Sequence, residues 1–236
     1  MKTQILVVDN FYNNPNETRR FILTQKFNVI GNYPGYRTSS FANKDLKIYF
    51  EKLLNKNIHW TEDHYNGSFQ YTTKNMKSWI HRDLTDYAAI VYLSPNANID
   101  SGTGFFKHKR TGCENTYDYQ CLDEKSKKEV DADSSDMSKW DMTDYISNKF
   151  NRLLIFNGTR FHRSMQYFGE DLKSGRLFQV FFFNTSIRNE VSKYSSIPRP
   201  ISNTTNKKIC ILIFTTSRYE YLIATLESFR ERVNFS

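Results

Sequence analysis

The sequence of 236 residues has few cysteines and no long apolar run. Its three cysteines, Cys113, Cys121 and Cys210, form no CxxC pair and are odd in number, so they predict neither a zinc knuckle nor a disulfide framework. The apolar run near the start ends at Asp9, which makes it too short for a membrane span or a secretory signal. These absences favour a soluble cytoplasmic protein, which would work in the host cytoplasm if a phage encodes it.

Clustered charge is also missing. The formal net charge is +8, but the basic residues are scattered, and no basic stretch interleaved with aromatic residues marks a nucleic-acid groove. The positive charge therefore favours an anionic cosubstrate over a nucleic acid as partner.

Aromatic residues are abundant, with 19 Phe and 15 Tyr, and they favour strands. Two amphipathic helices are predicted before the strands, one with Pro15 in its first turn and one in FANKDLKIYFEKLL. From Gly67 onward, apolar residues alternate with a period of two. Seven strand-like segments follow: GSFQYTT, KSWIHRD, YAAIVYLSP, GTGFFKHK, NRLLIFNG, HRSMQYFG and RLFQVFFFN. This pattern predicts a mainly β protein with flanking helices (α+β) and a sandwich or jelly-roll core.

The pattern also predicts how the chain is divided. A first domain is expected over 1–190, with helical support over 1–60, a β core over 67–185 and a polar, acidic insertion over 111–149. The insertion interrupts two strand-like stretches, so we expect a lid or a substrate-contacting loop. A linker is expected over 191–208, followed by a strand and helix over 209–236.

A His-x-Asp pair, His81 and Asp83, is followed about eighty residues later by His162. Side chains on a strand alternate between its faces, so His81 and Asp83 are expected to point the same way. Two imidazoles and one carboxylate are the ligand set of non-haem Fe(II) sites. Because single histidines and His-x-Asp pairs also occur by chance, the metal hypothesis depends on the order His, Asp, His and then Arg176.

Ligating histidines usually donate their second N–H to a partner. We expect that partner among the polar neighbours Asn157, Ser164, Gln179 and Thr103.

Arg176 begins the apolar strand RLFQVFFFN, fourteen residues after His162. A 2-oxo acid that chelates iron inside a barrel needs its far carboxylate neutralised, and a guanidinium does this with two parallel hydrogen bonds. Other arginines lie nearby, but Arg176 alone begins a long apolar strand.

At these residues the sequence resembles the 2-oxoglutarate and Fe(II)-dependent oxygenases of the double-stranded β-helix fold, over roughly 67–184. The resemblance implies that His81, Asp83 and His162 bind iron and that Arg176 holds the C5 carboxylate of 2-oxoglutarate. It also places Tyr71 near the cosubstrate, as in prolyl-hydroxylase-like members. More narrowly, VVDNFYNNPNETRRF, YPGYRT and YLSPNANIDSGTGFFKHK look like an uncharacterised oxygenase-like family of bacteria and phages.

The resemblance implies an enzyme that uses Fe(II), 2-oxoglutarate and O2 to hydroxylate a C–H bond of a protein side chain or a small molecule, with release of succinate and CO2. Two other classes stay open. A cupin-like metal enzyme without 2-oxoglutarate would form no succinate and would not depend on Arg176, and a non-catalytic jelly-roll binding module would hold no stoichiometric iron.

The segment 209–236 resembles the opening strand and helix of a GT-A glycosyltransferase. Two interpretations stay open: the natural chain continues into such a domain, or the element docks on the first domain.

Overall fold

The computed structural model describes residues 5–29, 31, 33–60 and 65–187, all within the first of two units into which the chain divides, Met1–Asn189. The predicted linker 191–208 and the predicted element 209–236 lie outside the described residues. Among the residues that are described, no helix is both long enough and apolar enough to cross a membrane.

The described residues are organised as strands with four α-helices between them. In chain order these elements are β1 Ile5–Val8, α1 Pro15–Ile22, β2 Tyr36–Arg37, α2 Lys44–Leu54, β3 Lys56–Trp60, β4 Phe69–Thr72, β5 Tyr87–Tyr92, β6 Thr103–His108, α3 Thr116–Gln120, α4 Glu124–Ala132, β7 Trp140–Ile146, β8 Leu153–Asn157, β9 His162–Ser164 and β10 Arg176–Ile187.

The larger of two antiparallel sheets is built around β10. Its order is β1-β8-β5-β10-β4-β2, and β3 also pairs with β10. Because β10 is twelve residues long, β4 and β3 share one of its edges, β4 along 176–179 and β3 along 183–187. Period-two alternation along β10 sends Leu177, Phe181 and Phe183 to one face and Phe178, Val180 and Phe182 to the other.

The smaller sheet has the order β7-β6-β9 and faces the larger one. Phe105 of β6 meets Phe156 of β8 edge to face, with ring centroids 5.2 Å apart, within a shared cluster of buried side chains. Two facing antiparallel sheets form a jelly roll. The predicted α+β class with a double-stranded β-helix core is confirmed.

Helices α1 and α2 cover the outer face of the larger sheet; both are predicted by the sequence, and α2 begins three residues after the start of its predicted segment. Pro15 occupies the first turn of α1, and the side chain of Asn43 caps α2 by accepting the N–H of Leu46 at 2.9 Å. Ile22 and Phe50 are fully buried against the outward side chains of β10.

The segment 111–149 is not a loop throughout. It contains α3, α4 and the whole of β7, which pairs with β6. Val130 of α4 is buried with Phe106, Trp140 and Phe161 on the outer face of the smaller sheet. Strand β7 escapes sequence analysis because three consecutive residues, Asp141 to Thr143, are exposed, so no period of two is visible.

Candidate active site

The segment around His81 is not the regular strand that the sequence predicts. It makes a single bridge, in which the backbones of His81 and His162 exchange hydrogen bonds of 3.0 and 2.8 Å. The N–H of Asp83 donates to the carbonyl of Gly158 at 2.8 Å. A Cβ on Gly158 would lie only 2.7 Å from the carbonyl oxygen of Thr85, so glycine permits this close approach.

The structure brings His81, Asp83 and His162 together. One potential ligand atom from each lies within 4.8 Å of the others, and the two imidazole centroids are 4.4 Å apart. Neighbouring ligand atoms on an octahedral ion with bonds of about 2.1 Å are about 3 Å apart. Small side-chain adjustments therefore bring all three atoms onto one ion.

Both histidines have one ring nitrogen fixed by the backbone. Nδ1 of His81 lies 3.1 Å from the carbonyl oxygen of Trp79, and Nδ1 of His162 lies 2.8 Å from that of Arg160. A carbonyl only accepts, so each Nδ1 carries the proton and each Nε2 keeps a free lone pair. The expectation that polar side chains play this part is wrong, because backbone carbonyls do.

Burial sets the charge of the three groups. Burial, together with the neighbouring His162, lowers the pKa of His81 to about 4. Burial likewise lowers the pKa of His162 to about 4, and it raises the pKa of Asp83 to about 6. At pH 7 the imidazoles are neutral and the carboxylate is largely ionised, which is the state that binds a metal. Nε2 of His162 and Oδ2 of Asp83 lie 3.5 Å apart, but they do not form an ion pair at that pH because the imidazole is neutral.

Oδ2 of Asp83 is buried and has no hydrogen-bond partner among the described residues. Leaving a charged oxygen in this condition costs several kcal/mol, on the order of the penalty for an unpaired buried ion. A divalent cation bound by this oxygen and the two Nε2 atoms would remove the penalty. The three residues thus fit a metal of the kind held by two histidines and one carboxylate.

Arg176 is fully buried at the start of β10, on the same face of the strand as Phe178. Its Nε donates to the carbonyl of Ser101 at 2.9 Å, and its guanidinium carbon lies 4.6 Å from the ring centroid of Phe178. Neither Nη has a hydrogen-bond partner in the described part of the chain. A buried guanidinium whose two Nη groups have no partner there can donate to both oxygens of a carboxylate.

Tyr71 does not join these residues. It lies opposite Leu177 in the pairing of β4 with β10 and packs against Phe27 and Tyr36, with ring centroids 5.2 and 5.0 Å away, on the helix-covered side of the sheet. Gln70, one residue earlier, lines the cavity instead. The position of Tyr71 does not agree with a cosubstrate contact.

A cavity of about 650 Å³ opens beside the triad, between the two sheets. Tyr33, which sequence analysis did not select, lines it: its ring centroid lies 4.5 Å from that of His81, and its hydroxyl lies 2.6 Å from Oγ of Ser78. Arg37 lines the cavity as well. Both belong to YPGYRT, where a charged residue among aromatic ones was the signal that could have pointed to the site.

The insertion 111–149 contributes no residue to the lining of this cavity among the described residues, so a substrate-contacting role is not supported. It supports the His-x-Asp segment instead. The N–H of Ile80 donates to the carbonyl of Ser134 at 2.8 Å, and the guanidinium of Arg82 lies 3.6 Å from the ring centroid of Tyr119. Next to His162, the N–H of Phe161 donates to the backbone carbonyl of Glu114 at 2.9 Å.

Two solved structures resemble this chain at low sequence identity. The crystal structure of HygX from Streptomyces hygroscopicus with nickel and 2-oxoglutarate bound is 13% identical, with a TM-score of 0.51 over 77% of this chain and 83% of that one. A prolyl hydroxylase from Trichoplax adhaerens, in complex with a hypoxia inducible factor peptide, is 14% identical, with a TM-score of 0.42 over 76% of this chain and 82% of that one. At these identities the first likeness shows the fold alone, and the second is too weak to support an argument.

Sequence comparisons give one assignment. No curated protein sequence matches the chain. A family model described as a family of unknown function, DUF6445, matches residues 1–183, which is more than half of the chain. The chain therefore belongs to the DUF6445 family.

Proposed function

We propose that this chain is a 2-oxoglutarate-dependent, Fe(II)-dependent dioxygenase that hydroxylates a C–H bond. The observation that carries the proposal is a set of buried polar atoms that have no hydrogen-bond partner in the described part of the chain, Oδ2 of Asp83 and both Nη of Arg176. Asp83 lines the cavity, and Arg176 packs on Phe178, which lines it as well. The two groups have opposite charge, as a cation and a dianionic cosubstrate require. The HygX structure with nickel and 2-oxoglutarate bound supports the choice of cosubstrate.

The proposed reaction consumes one 2-oxoglutarate, one O2 and one substrate C–H, and it yields succinate, CO2 and the substrate alcohol. When bound, Fe(II) would supply the redox chemistry that couples O2 to the decarboxylation. His81, Asp83 and His162 would hold it on one face. The carbonyls of Trp79 and Arg160 keep the two Nε2 lone pairs directed at this face, because each fixes the proton on Nδ1.

Arg176 would hold the C5 carboxylate through its two free Nη groups, while Ser101 fixes its Nε. The ring of Tyr33 lies against His81 and restricts the imidazole to one orientation. The apolar rings of Phe156, Phe178 and Phe182 line the remaining wall. They exclude water, which strengthens each charged contact inside the cavity.

The cavity volume of about 650 Å³ is within the range of sites that take a whole small molecule. We propose that the substrate, a small molecule or a protein side chain, occupies the part that the cosubstrate leaves free.

The test is a titration with Fe(II) and 2-oxoglutarate under anaerobic conditions, followed by succinate measurement after O2 is admitted. We expect stoichiometric metal binding that His81→Ala abolishes. His59→Ala is the matched control, because this exposed imidazole on β3 contacts Ser186 and does not line the cavity.

Arg176→Gln separates the cosubstrate from the metal. It is expected to raise the KM for 2-oxoglutarate by a hundredfold or more, because about 3 kcal/mol is lost with a charged, two-point contact, while the metal Kd stays within about twofold. Metal binding without any succinate would indicate a metal enzyme of another kind, and absence of metal binding would indicate a binding module.

A further inference from the structure

A second buried guanidinium, that of Arg37, lines the cavity beside the triad. Arg176 itself is not among the lining residues and approaches the cavity through Phe178, on which it packs. Arg37 is 4% exposed and lies on β2, opposite Gln70 of β4, which in turn lies opposite Phe178 of β10. The path from Arg37 to Arg176 therefore crosses two spacings between neighbouring strands and then two residues along β10. This places the two Cα atoms about 12 Å apart. Its neighbour Tyr36 points to the outer face and stacks on Tyr71, so alternation directs Arg37 inward.

The guanidinium of Arg37 is fixed before any ligand arrives. Nη1 donates to the carbonyl of Gly35 at 3.2 Å, and Nη2 donates to that of Tyr33. The ring of Tyr65 lies 5.7 Å away. A Cβ on Gly31 would lie 2.7 Å from Nη1, so the absence of a side chain there leaves room for the charged group.

Among the residues that the structure describes, no carboxylate neutralises this charge. Within the described ranges, no acidic group lies at ion-pair distance from Arg37, and Asp83 is the one carboxylate among the residues that line the cavity. Arg82, the other cation of the lining, has Asp131 at 3.9 Å. Two backbone carbonyls satisfy two of the five N–H donors of Arg37 and leave its full charge uncompensated.

The proposed cofactors do not compensate it either. Fe(II), ionised Asp83, Arg176 and a doubly charged 2-oxoglutarate together carry no net charge, and the histidines are neutral. The positive charge of Arg37 remains, in a cavity where apolar walls weaken screening. One further negative charge would complete the balance.

We propose that Arg37 binds an oxyanion of a small substrate, a carboxylate or a phosphate, and so selects anionic substrates. This inference rests on the proposed function. The planar fork of arginine matches both oxyanions, and a fixed guanidinium binds them at a low entropic cost.

The test is calorimetric titration of the protein loaded anaerobically with Fe(II) and 2-oxoglutarate. The probes are N-acetyl amino acids against their carboxamides, and glycerol 3-phosphate against glycerol, so the two pairs distinguish carboxylate from phosphate. We expect at least one acid to bind ten times more tightly than its neutral counterpart, and Arg37→Gln to abolish that preference.

Controls address charge and folding. Arg20→Gln removes the same charge from the surface, where this side chain is 71% exposed, and should leave the preference intact. Arg37→Lys keeps the charge but loses the fork and should retain part of the preference. Gly31→Ala keeps every charge and should weaken acid binding by displacing Nη1.

The outcomes separate this inference from the proposed function. A wild-type protein that binds metal and 2-oxoglutarate but prefers no acid overturns the inference alone, as does a folded Arg37→Gln variant that keeps the preference. A protein that binds neither metal nor 2-oxoglutarate overturns both.

Discussion

Helices α1 and α2 form a first layer over the larger sheet, and helices α3 and α4 form a second layer over the smaller one. The two layers contact different parts of the chain. The first layer buries Ile22 and Phe50 against the outward residues of β10, none of which belongs to the triad. The second layer touches the segments that carry the proposed metal ligands. Tyr119 of α3 packs on Arg82, and Val130 of α4 is buried with Phe161, next to His162. This difference indicates that the first layer maintains the fold, while the second also positions the proposed ligands.

The largest effect is expected in the first layer. Phe50→Ala removes a fully buried ring that meets Phe181 edge to face at 5.0 Å, and it should lower the free energy of unfolding by about 3–5 kcal/mol. Urea denaturation measures this loss. The metal affinity of the molecules that remain folded should stay as in wild type, and a parallel loss of metal affinity would remove the distinction between the layers.

A smaller effect on stability, but a direct one on the site, is expected in the second layer. Arg82→Ala removes the contact with Tyr119 and the ion pair with Asp131, so the His-x-Asp segment loses its support. Metal affinity should fall about tenfold, in line with the loss of other groups that orient metal ligands, while the free energy of unfolding falls by about 1 kcal/mol.

Arg110→Ala is the matched control, because Arg110 pairs with Glu129 of the same layer and does not approach the ligands. Equal metal affinity in the two variants would contradict a positioning role for Arg82. Metal titration in a competitive chelator assay measures the difference.

The smallest effect is expected outside both layers, at Asp9. Hydrogen bonds from Arg152 and Lys149 lower the pKa of this carboxyl to about 2. A lowered pKa stabilises the folded state above the unfolded value near 3.8, and that contribution is lost as the pH falls toward 2. The side chain is one-third exposed, so screening keeps the contribution to about 1 kcal/mol.

Asp9→Asn should therefore be less stable than wild type at pH 7, and the gap should shrink as the pH falls through 2. Denaturant melts across this pH range measure the gap. A gap of unchanged size at pH 2 would show that packing rather than charge is lost.

The elements that the sequence predicts are those with a local periodic pattern. Strand β10 is predictable because Leu177, Phe181 and Phe183 alternate with residues of the opposite face. The triad is predictable because two of its members lie two residues apart, a spacing that puts both side chains on one side of an extended chain. Tyr33 and Arg37 reach the cavity only through the pairing of β2 with β4, a contact between residues far apart in sequence that no local pattern encodes.

The backbone bridge between His81 and His162 has a kinetic consequence. Two amide hydrogens are shared across the gap between the ligands, so the ligands cannot separate without breaking both bonds. Amide hydrogens at these two positions should therefore exchange slowly with solvent even when metal is removed by a chelator. Such protection would mean that the ion enters an assembled site, and that its release leaves the two imidazoles in place for the next one.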